Sequence, residues 1–254
     1  MAKIKTKEEI ALIRQGGKML NKILMQVAEI VRPGVSTFEL DQMGEKLIRQ
    51  AGGIPAFKNY GQPPYPGSVC TSINAEVVHG VPRKDRILKE GDIISLDVGM
   101  RYPAENGLYT DMAITVPVGK IGSELQKLVD VTRQALDIYK DNLRAGEKWS
   151  KVAGKVQKYV EGQGYGLVRD LVGHGVGHAV HEEPQLPNYV IPTYDFVLRE
   201  GMVLACEPMV TSGDYEIETM EDHWTVATKD RKYSAHFEHT FAITKTGCEV
   251  LTGK

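Results

Sequence analysis

Residues 92–116, DIISLDVGMRYPAENGLYTDMAITV, read as a β-hairpin. Ile94, Leu96 and Val98 alternate with Ser95, Asp97 and Gly99, and on the return Met112, Ile114 and Val116 alternate with Asp111, Ala113 and Thr115. That period of two belongs to a strand with two unlike faces. Residues 101–107 between them hold Pro103 and Asn106-Gly107, which favour a turn. A register centred on residue 104 sets Asp97 directly opposite Asp111 on one face, where like charges repel unless one is protonated or a cation lies between them. A half-solvated sheet would leave both acids exposed. The small neighbours Gly99, Ala113 and Thr115 argue instead for room to bind something.

Helices flank this hairpin in sequence. Thr6 and Glu9 form a capping-box pattern, and Ser36 and Glu39 form another. After the first, Ile10, Ile13, Leu20, Ile23, Leu24, Val27 and Val31 recur mostly at steps of three and four, up to Arg32-Pro33-Gly34. The second helix runs towards Gly52-Gly53. Beyond the hairpin, Ser123 and Gln126 are expected to cap a third helix with a stripe of Leu125, Leu128, Val129, Leu136 and Tyr139, and a fourth covers residues 150–161. Residues 55–82 read as loops and short strands, and the chain from residue 165 onward as strands and turns. Positions 112 residues apart correspond faintly: Arg32 with Arg144, Gly34 with Gly146, Lys46 with Lys158, Gly52 with Gly164. Two unrelated amphipathic helix pairs would give this pattern, and so would two copies of a helix–helix–strand unit around a shared sheet. The expected fold class is α+β, a single domain over residues 1–254 with two similar halves.

Composition excludes several functions. The 254 residues carry a net charge of −2 with no long basic run, so there is no electrostatic footprint for nucleic acid or an anionic membrane. No apolar run reaches the length of a transmembrane helix, and the charged start MAKIKTKEEI lacks the apolar core of a signal peptide. Three cysteines (Cys70, Cys206, Cys248) make no disulfide framework and fit a reducing compartment, most simply the cytoplasm.

Four acids and one histidine stand in otherwise apolar or small-residue segments: Asp97, Asp111, His174 in GHGVG, Glu207 in ACEPMV and Glu238 in HFEHT. Buried acids are rare unless paired or bound to metal. Four carboxylates balance two divalent cations, and one imidazole with four carboxylates suits manganese, iron, cobalt or zinc. Shared carboxylates bridge two ions at roughly 3.5–4 Å, and such a pair activates water for amide hydrolysis without a serine or cysteine nucleophile. Taken singly, Glu207 could merely end a strand and Glu238 could pair with His239. A rival centre would use His174, His178 and His181 on one zinc, but it leaves the four acids unexplained.

NAEVVHGVP (74–82), LDVG (96–99), GHGVG (173–177) followed by HEEP (181–184), CEPMV (206–210) and WTVATKDRKYSAHFEHT (224–240) together resemble the type I methionine aminopeptidases, in their short bacterial form, of peptidase family M24. The resemblance spans about residues 5–251. It implies the pita-bread fold, two pseudo-symmetric α+β halves around a curved, mainly antiparallel sheet. It implies two divalent ions (cobalt, manganese, iron, zinc or nickel) held by Asp97, Asp111, His174, Glu207 and Glu238, with Asp111 and Glu238 bridging. His79 would contact the scissile amide nitrogen, His181 the substrate carbonyl, and Glu207 would also shuttle the proton of the attacking water. Tyr65, Cys70 and Trp224 resemble the walls of a methionine pocket. The implied reaction removes the initiator methionine from nascent proteins with a small second residue, by a monomeric cytoplasmic enzyme in transient contact with the ribosome. Against the family pattern, the Asp97–Asp111 connection is longer, Thr110 stands where glycine is frequent, and His178, Val180 and His236 replace other side chains. Two further readings share the fold: an X-Pro-cleaving, prolidase-like enzyme, and a non-catalytic peptide-binding protein that would have lost metal ligands.

Overall fold

The structure is a computed structural model that describes residues 3–253; of the domain expected over 1–254, residues 1, 2 and 254 lie outside the described ones. Helices α1 (Lys7–Glu29) and α2 (Thr37–Gln50) precede β1 (Ile54–Pro55), β2 (Cys70–Ile73), β3 (Glu76–Val78) and the hairpin β4 (Ile93–Tyr102) and β5 (Leu108–Pro117). Helices α3 (Ser123–Asn142) and α4 (Trp149–Gly162) follow. Then come β6 (Gly166–Leu167), β7 (Gly173–Gly175), β8 (Glu182–Leu186), β9 (Val203–Cys206), β10 (Met209–Thr211), β11 (Ile217–Thr219), β12 (Val226–Thr228), β13 (Ser234–His236), β14 (His239–Ile243) and β15 (Cys248–Val250).

Both capping boxes form. Thr6 Oγ1 accepts from Glu9 N at 3.2 Å while Glu9 Oε2 accepts from Thr6 N at 2.7 Å. Ser36 and Glu39 repeat the exchange at 3.2 and 2.8 Å. Each satisfies two N–H groups that a helix start otherwise leaves open. α1 buries Ile13, Leu20, Ile23, Leu24 and Val27, and ends at Glu29, ahead of the expected stop at residues 32–34. The cap expected from Ser123 and Gln126 does not form. Gly122 is the N-cap of α3, so Ser123 already lies in the first turn, and the Gln126 side chain donates to Asp130 at 2.9 Å.

A shift of 112 residues carries α2 onto α4 and β1 onto β6 without remainder. The turn glycines match in conformation as well: Gly34 and Gly146 have φ of 90° and 86°, Gly52 and Gly164 of 81° and 84°. Those values are left-handed, a region that costs other residues roughly 1–2 kcal/mol. The faint sequence repeat is therefore two copies of one helix–helix–strand unit. Each copy has its own core. Leu20, Leu24, Leu40 and Ile48 pack under Ile94, Leu96 and Val98 in the first half. In the second, Trp149 stacks between Tyr139 and Phe196 at ring separations of 5.4 and 5.9 Å.

Every strand pairing among the described residues is antiparallel. One sheet orders β1-β4-β2 with β5 added on β4, and another runs β15-β14-β9-β7-β8. The hairpin register is centred one residue later than expected: Asp97 faces Ala113, and Gly99 faces Asp111. Asp97 and Asp111 are diagonal rather than opposite, yet they stay on one face because Asp97 and Gly99 do. The reason is the turn, which holds the loop from Pro103 to Gly107 between Tyr102 and Leu108. A bridge between Ala113 and Glu238 joins the halves. Two threonines knit the same seam. Thr115 Oγ1 accepts from His236 N at 2.8 Å, and Thr240 Oγ1 accepts from Asp111 N at 3.1 Å while donating to Asp111 O at 2.8 Å. Two pseudo-symmetric halves on curved antiparallel sheets make the expected pita-bread fold.

Candidate active site

The seam fixes the acids. Cys70 pairs with Asp97 across β2 and β4, Asp97 with Ala113 across β4 and β5, and Ala113 with Glu238. Cys70, Asp97 and Ala113 form one row across the first sheet, which the bridge continues to Glu238 of the second half, with Asp111 one pleat along. From the other half, β7 supplies His174 opposite Ala205, and the end of β9 supplies Glu207. One cavity of about 160 Å³ is lined by Tyr65, Cys70, His79, Asp97, Asp111, His174, His181, Glu207, Trp224 and Glu238. All of the residues expected at the site thus meet at one place, although they come from both halves of the chain.

Asp97, Asp111, His174 and Glu238 are buried, and Asp97 Oδ1, Asp111 Oδ1 and Glu238 Oε1 make no hydrogen bond. One ligand atom each from Asp111, His174 and Glu238 lies within 4.8 Å of the others. His174 Nδ1 lies 2.9 Å from the Gly175 carbonyl, which accepts its proton and leaves Nε2 bare, 3.5 Å from Glu207 Oε1. A backbone carbonyl behind an imidazole is the usual arrangement for a metal-binding histidine. Burial pushes the Asp97 carboxyl up to about 7, His236 opposing and Glu207 adding to the rise. Burial and the neighbouring acids push Asp111 and Glu238 well above the usual carboxylate range. Burial also acts to raise Glu207, but His236, 3.4 Å away, together with His174 and His181, outweighs it and keeps Glu207 low. So many acids in one dry pocket call for positive charge between them, and unpartnered carboxylate oxygens beside a bare imidazole nitrogen fit a divalent cation.

His79, His181 and His178 differ. His79 takes a left-handed φ of 58°, rare outside glycine and asparagine, and the following Gly80 lies so close to β2 that a Cβ would approach Thr71 O to 2.4 Å. Burial lowers the His79 pKa. His181 keeps an open edge to solvent, yet desolvation of its ring and the His174 imidazole, 4.4 Å between centroids, lower it to about 4, so it is neutral at pH 7. His178 turns away and sits 2.7 Å from Glu9 Oε1. The rival three-histidine zinc centre therefore does not assemble. Glu238 does not pair with His239 either, whose Nδ1 lies 2.8 Å from Thr252 Oγ1.

Two wall residues escaped the sequence reading. Phe57 fills the space over Gly99, where a Cβ would approach its ring to 2.8 Å, so the small residue expected to leave room for a ligand instead makes room for an aromatic wall. The Tyr60 hydroxyl lies 2.8 Å from His181 Nδ1. Phe57 and Tyr60 stand in the same aromatic stretch as Tyr65, and that shared density is the signal that points to them. Tyr65 donates to Gly80 O at 2.9 Å and stands edge-on to Trp224 at 5.2 Å. Val180 packs with Phe57, Tyr65 and Cys70.

Residues 11–245 match metallopeptidase family M24. The chain is 44% identical to methionine aminopeptidase 1 of Bacillus subtilis over 98% of both chains. The crystal structure of methionine aminopeptidase from Thermotoga maritima superposes with a TM-score of 0.95 at 41% identity, covering all of both chains. An Xaa-Pro dipeptidase from Bacillus anthracis, at 21% identity and a TM-score of 0.76, covers 99% of this chain but 62% of its own, and shares the fold. The chain belongs to metallopeptidase family M24 and, within it, to the methionine aminopeptidases.

Proposed function

We propose that the chain removes the N-terminal methionine from nascent proteins when the second residue is small, and that it does so with two divalent ions at the acidic cluster. The observation that carries this reading is the convergence of four carboxylates and a bare imidazole nitrogen in one buried pocket with an aromatic and sulfur wall. Asp97, Asp111, His174, Glu207 and Glu238 would hold the ions, Asp111 and Glu238 shared between them. When bound, the ions supply Lewis acidity at the carbonyl and bring the pKa of a water near neutrality.

The chain's own residues do the rest. Glu207, kept ionised by its histidine neighbours, accepts a proton from the attacking water. Neutral His181 has the Tyr60 hydroxyl 2.8 Å from Nδ1; with that hydroxyl as the donor, the ring proton sits on Nε2, where it would be given as a hydrogen bond to the carbonyl oxygen that gains charge. His79 meets the scissile amide nitrogen and steadies the leaving amine. Tyr65, Cys70 and Trp224, with Phe57, enclose the methionine side chain, whose sulfur is favoured by aromatic edges. Residues 1–254 act as one catalytic domain and a monomer. The unpaired cysteines suit a reducing cytoplasm, where substrates emerge from the ribosome and a transient contact there would meet them.

The test combines metal analysis with peptide cleavage. Purified protein should release methionine from Met-Ala-Ser, lose the activity to a chelator, and regain it with added manganese, cobalt or iron. Preference for an X-Pro dipeptide would favour the prolidase-like reading, and a metal-free protein inert in every arm would favour the non-catalytic one.

A further inference from the structure

Far from the acidic cluster in sequence, Lys5 is 4% exposed. Its Nζ lies 2.5 Å from Glu182 Oε2, with side-chain exposures of 1% and 6%. The other oxygen, Glu182 Oε1, accepts from His178 N at 2.5 Å and Ala179 N at 2.9 Å. One carboxylate thus closes the connection between β7 and β8, the segment that begins after Gly175 and ends at His181. Lys5 itself is fixed at the backbone, donating from N to Gly201 O at 2.8 Å. Its stem lies against Gly177 (φ 140°), where a Cβ would approach Lys5 Cε to 2.7 Å. Gly177 in turn accepts from Tyr109 N, on β5 two residues from Asp111, at 2.7 Å.

We propose that Lys5 is a positioning residue for His181, acting through the Glu182 carboxylate. The inference rests on the hydrolytic reading above. A carboxylate taken out of water to hold two loop N–H groups needs a compensating charge, and a lysine equally out of water supplies it. Removing Lys5 leaves Glu182 to seek solvent. Its grip on His178 and Ala179 then loosens, and His181 swings with the loop. Misplacing a group that meets the reacting carbonyl by about 1 Å costs up to roughly 100-fold in rate, and supporting residues behind a site typically cost 10–100-fold.

The experiment compares Lys5→Met with two double variants, using kcat and KM for Met-Ala-Ser, metal affinity by calorimetry and thermal unfolding. Lys5→Met should lower kcat about tenfold or more per folded molecule, with metal affinity unchanged within about threefold, because the acids and His174 are not on this loop. Lys5→Met with Glu182→Gln buries no lone charge and keeps an oxygen for both loop N–H groups, so it should recover both stability and kcat. Lys5→Met with Glu182→Leu buries no charge but leaves both loop N–H groups without their acceptor, so kcat should stay low. Wild-type kcat in Lys5→Met, or in the leucine double variant, would overturn the proposal. Should Lys5→Met fail to fold, the two double variants carry the same comparison. A wild-type protein that releases no methionine would strike the hydrolytic reading instead, so the two failures are distinguishable.

Discussion

Tyr60 and His181 show how little of a site's chemistry need reside in charged groups. Tyr60 is 41% exposed, and its hydroxyl touches the imidazole proposed to donate to the carbonyl oxygen. A neutral imidazole has two tautomers, and the partner of Nδ1 selects between them. Tyr60→Phe removes that selection and leaves the ring in place. The expected result is a fall in kcat of about tenfold with a smaller change in KM, because the interaction strengthens only as the carbonyl gains charge. His181→Ala removes the donor itself and should cost roughly 10²–10³ in kcat. Steady-state kinetics on the two variants check both values. Equal losses would mean that Tyr60 does more than orient His181.

At the scale of elements, α2 holds the strand that carries Cys70. Asp41 is buried, and its Oδ1 accepts from Ser68 N at 2.6 Å and Val69 N at 3.0 Å, the two residues that lead into β2. Burial raises its pKa, against the pull of those two N–H groups. The folded chain therefore holds this proton to higher pH than the unfolded chain does, and the group stabilises the fold least once pH exceeds its folded value. Asp41→Asn keeps an oxygen for both N–H groups and buries no charge. It should leave stability at pH 7 equal or higher, with the advantage vanishing near pH 3.8 and below. Asp41→Ala leaves two buried donors open and should cost about 1–3 kcal/mol. Urea unfolding of the three proteins at pH 7 and pH 4 decides the matter. Asp41 also marks where sequence reading stops. Capping boxes at Thr6 and Ser36 were legible because cap and partner stand three residues apart, and the hairpin because its alternation is unbroken. The one-residue register error arose from the turn, whose length alternation does not encode. Phe57 and Tyr60 were missed because a loop's path is set by contacts with Gly99 and His181, distant in sequence, and β7 to β13 are too short to show a period. The acids were legible because apolar neighbours made each one costly.

Across the whole molecule, the two halves meet where the charge is greatest. Asp97 and Asp111 come from the first half, His174, Glu207 and Glu238 from the second, and the Ala113–Glu238 bridge with Thr115 and Thr240 ties them. Packing alone would not favour crowding acids at this seam, since each is desolvated and the neighbours repel, which the raised Asp97, Asp111 and Glu238 pKa values express. A cation that binds the folded seam, and has no assembled site in the unfolded chain, stabilises the fold by about 2.7 kcal/mol at a free concentration 100 times its Kd. For a chain of this size that corresponds to roughly 5–10 °C in Tm. Chelated protein at pH 7 should therefore unfold at least several degrees below protein loaded with manganese or cobalt. The gap should narrow as pH falls through about 7 and below, because protons then compete for the carboxylates that hold the ion. Thr240→Val removes both hydrogen bonds to the Asp111 backbone and should shrink the same gap without touching a carboxylate. Differential scanning calorimetry with metal analysis at pH 7.5 and 5.5 measures all three effects. Identical Tm values with and without metal at pH 7.5 would mean that the acids are neutralised by protons alone, and the seam would then owe its stability to its threonines and not to an ion.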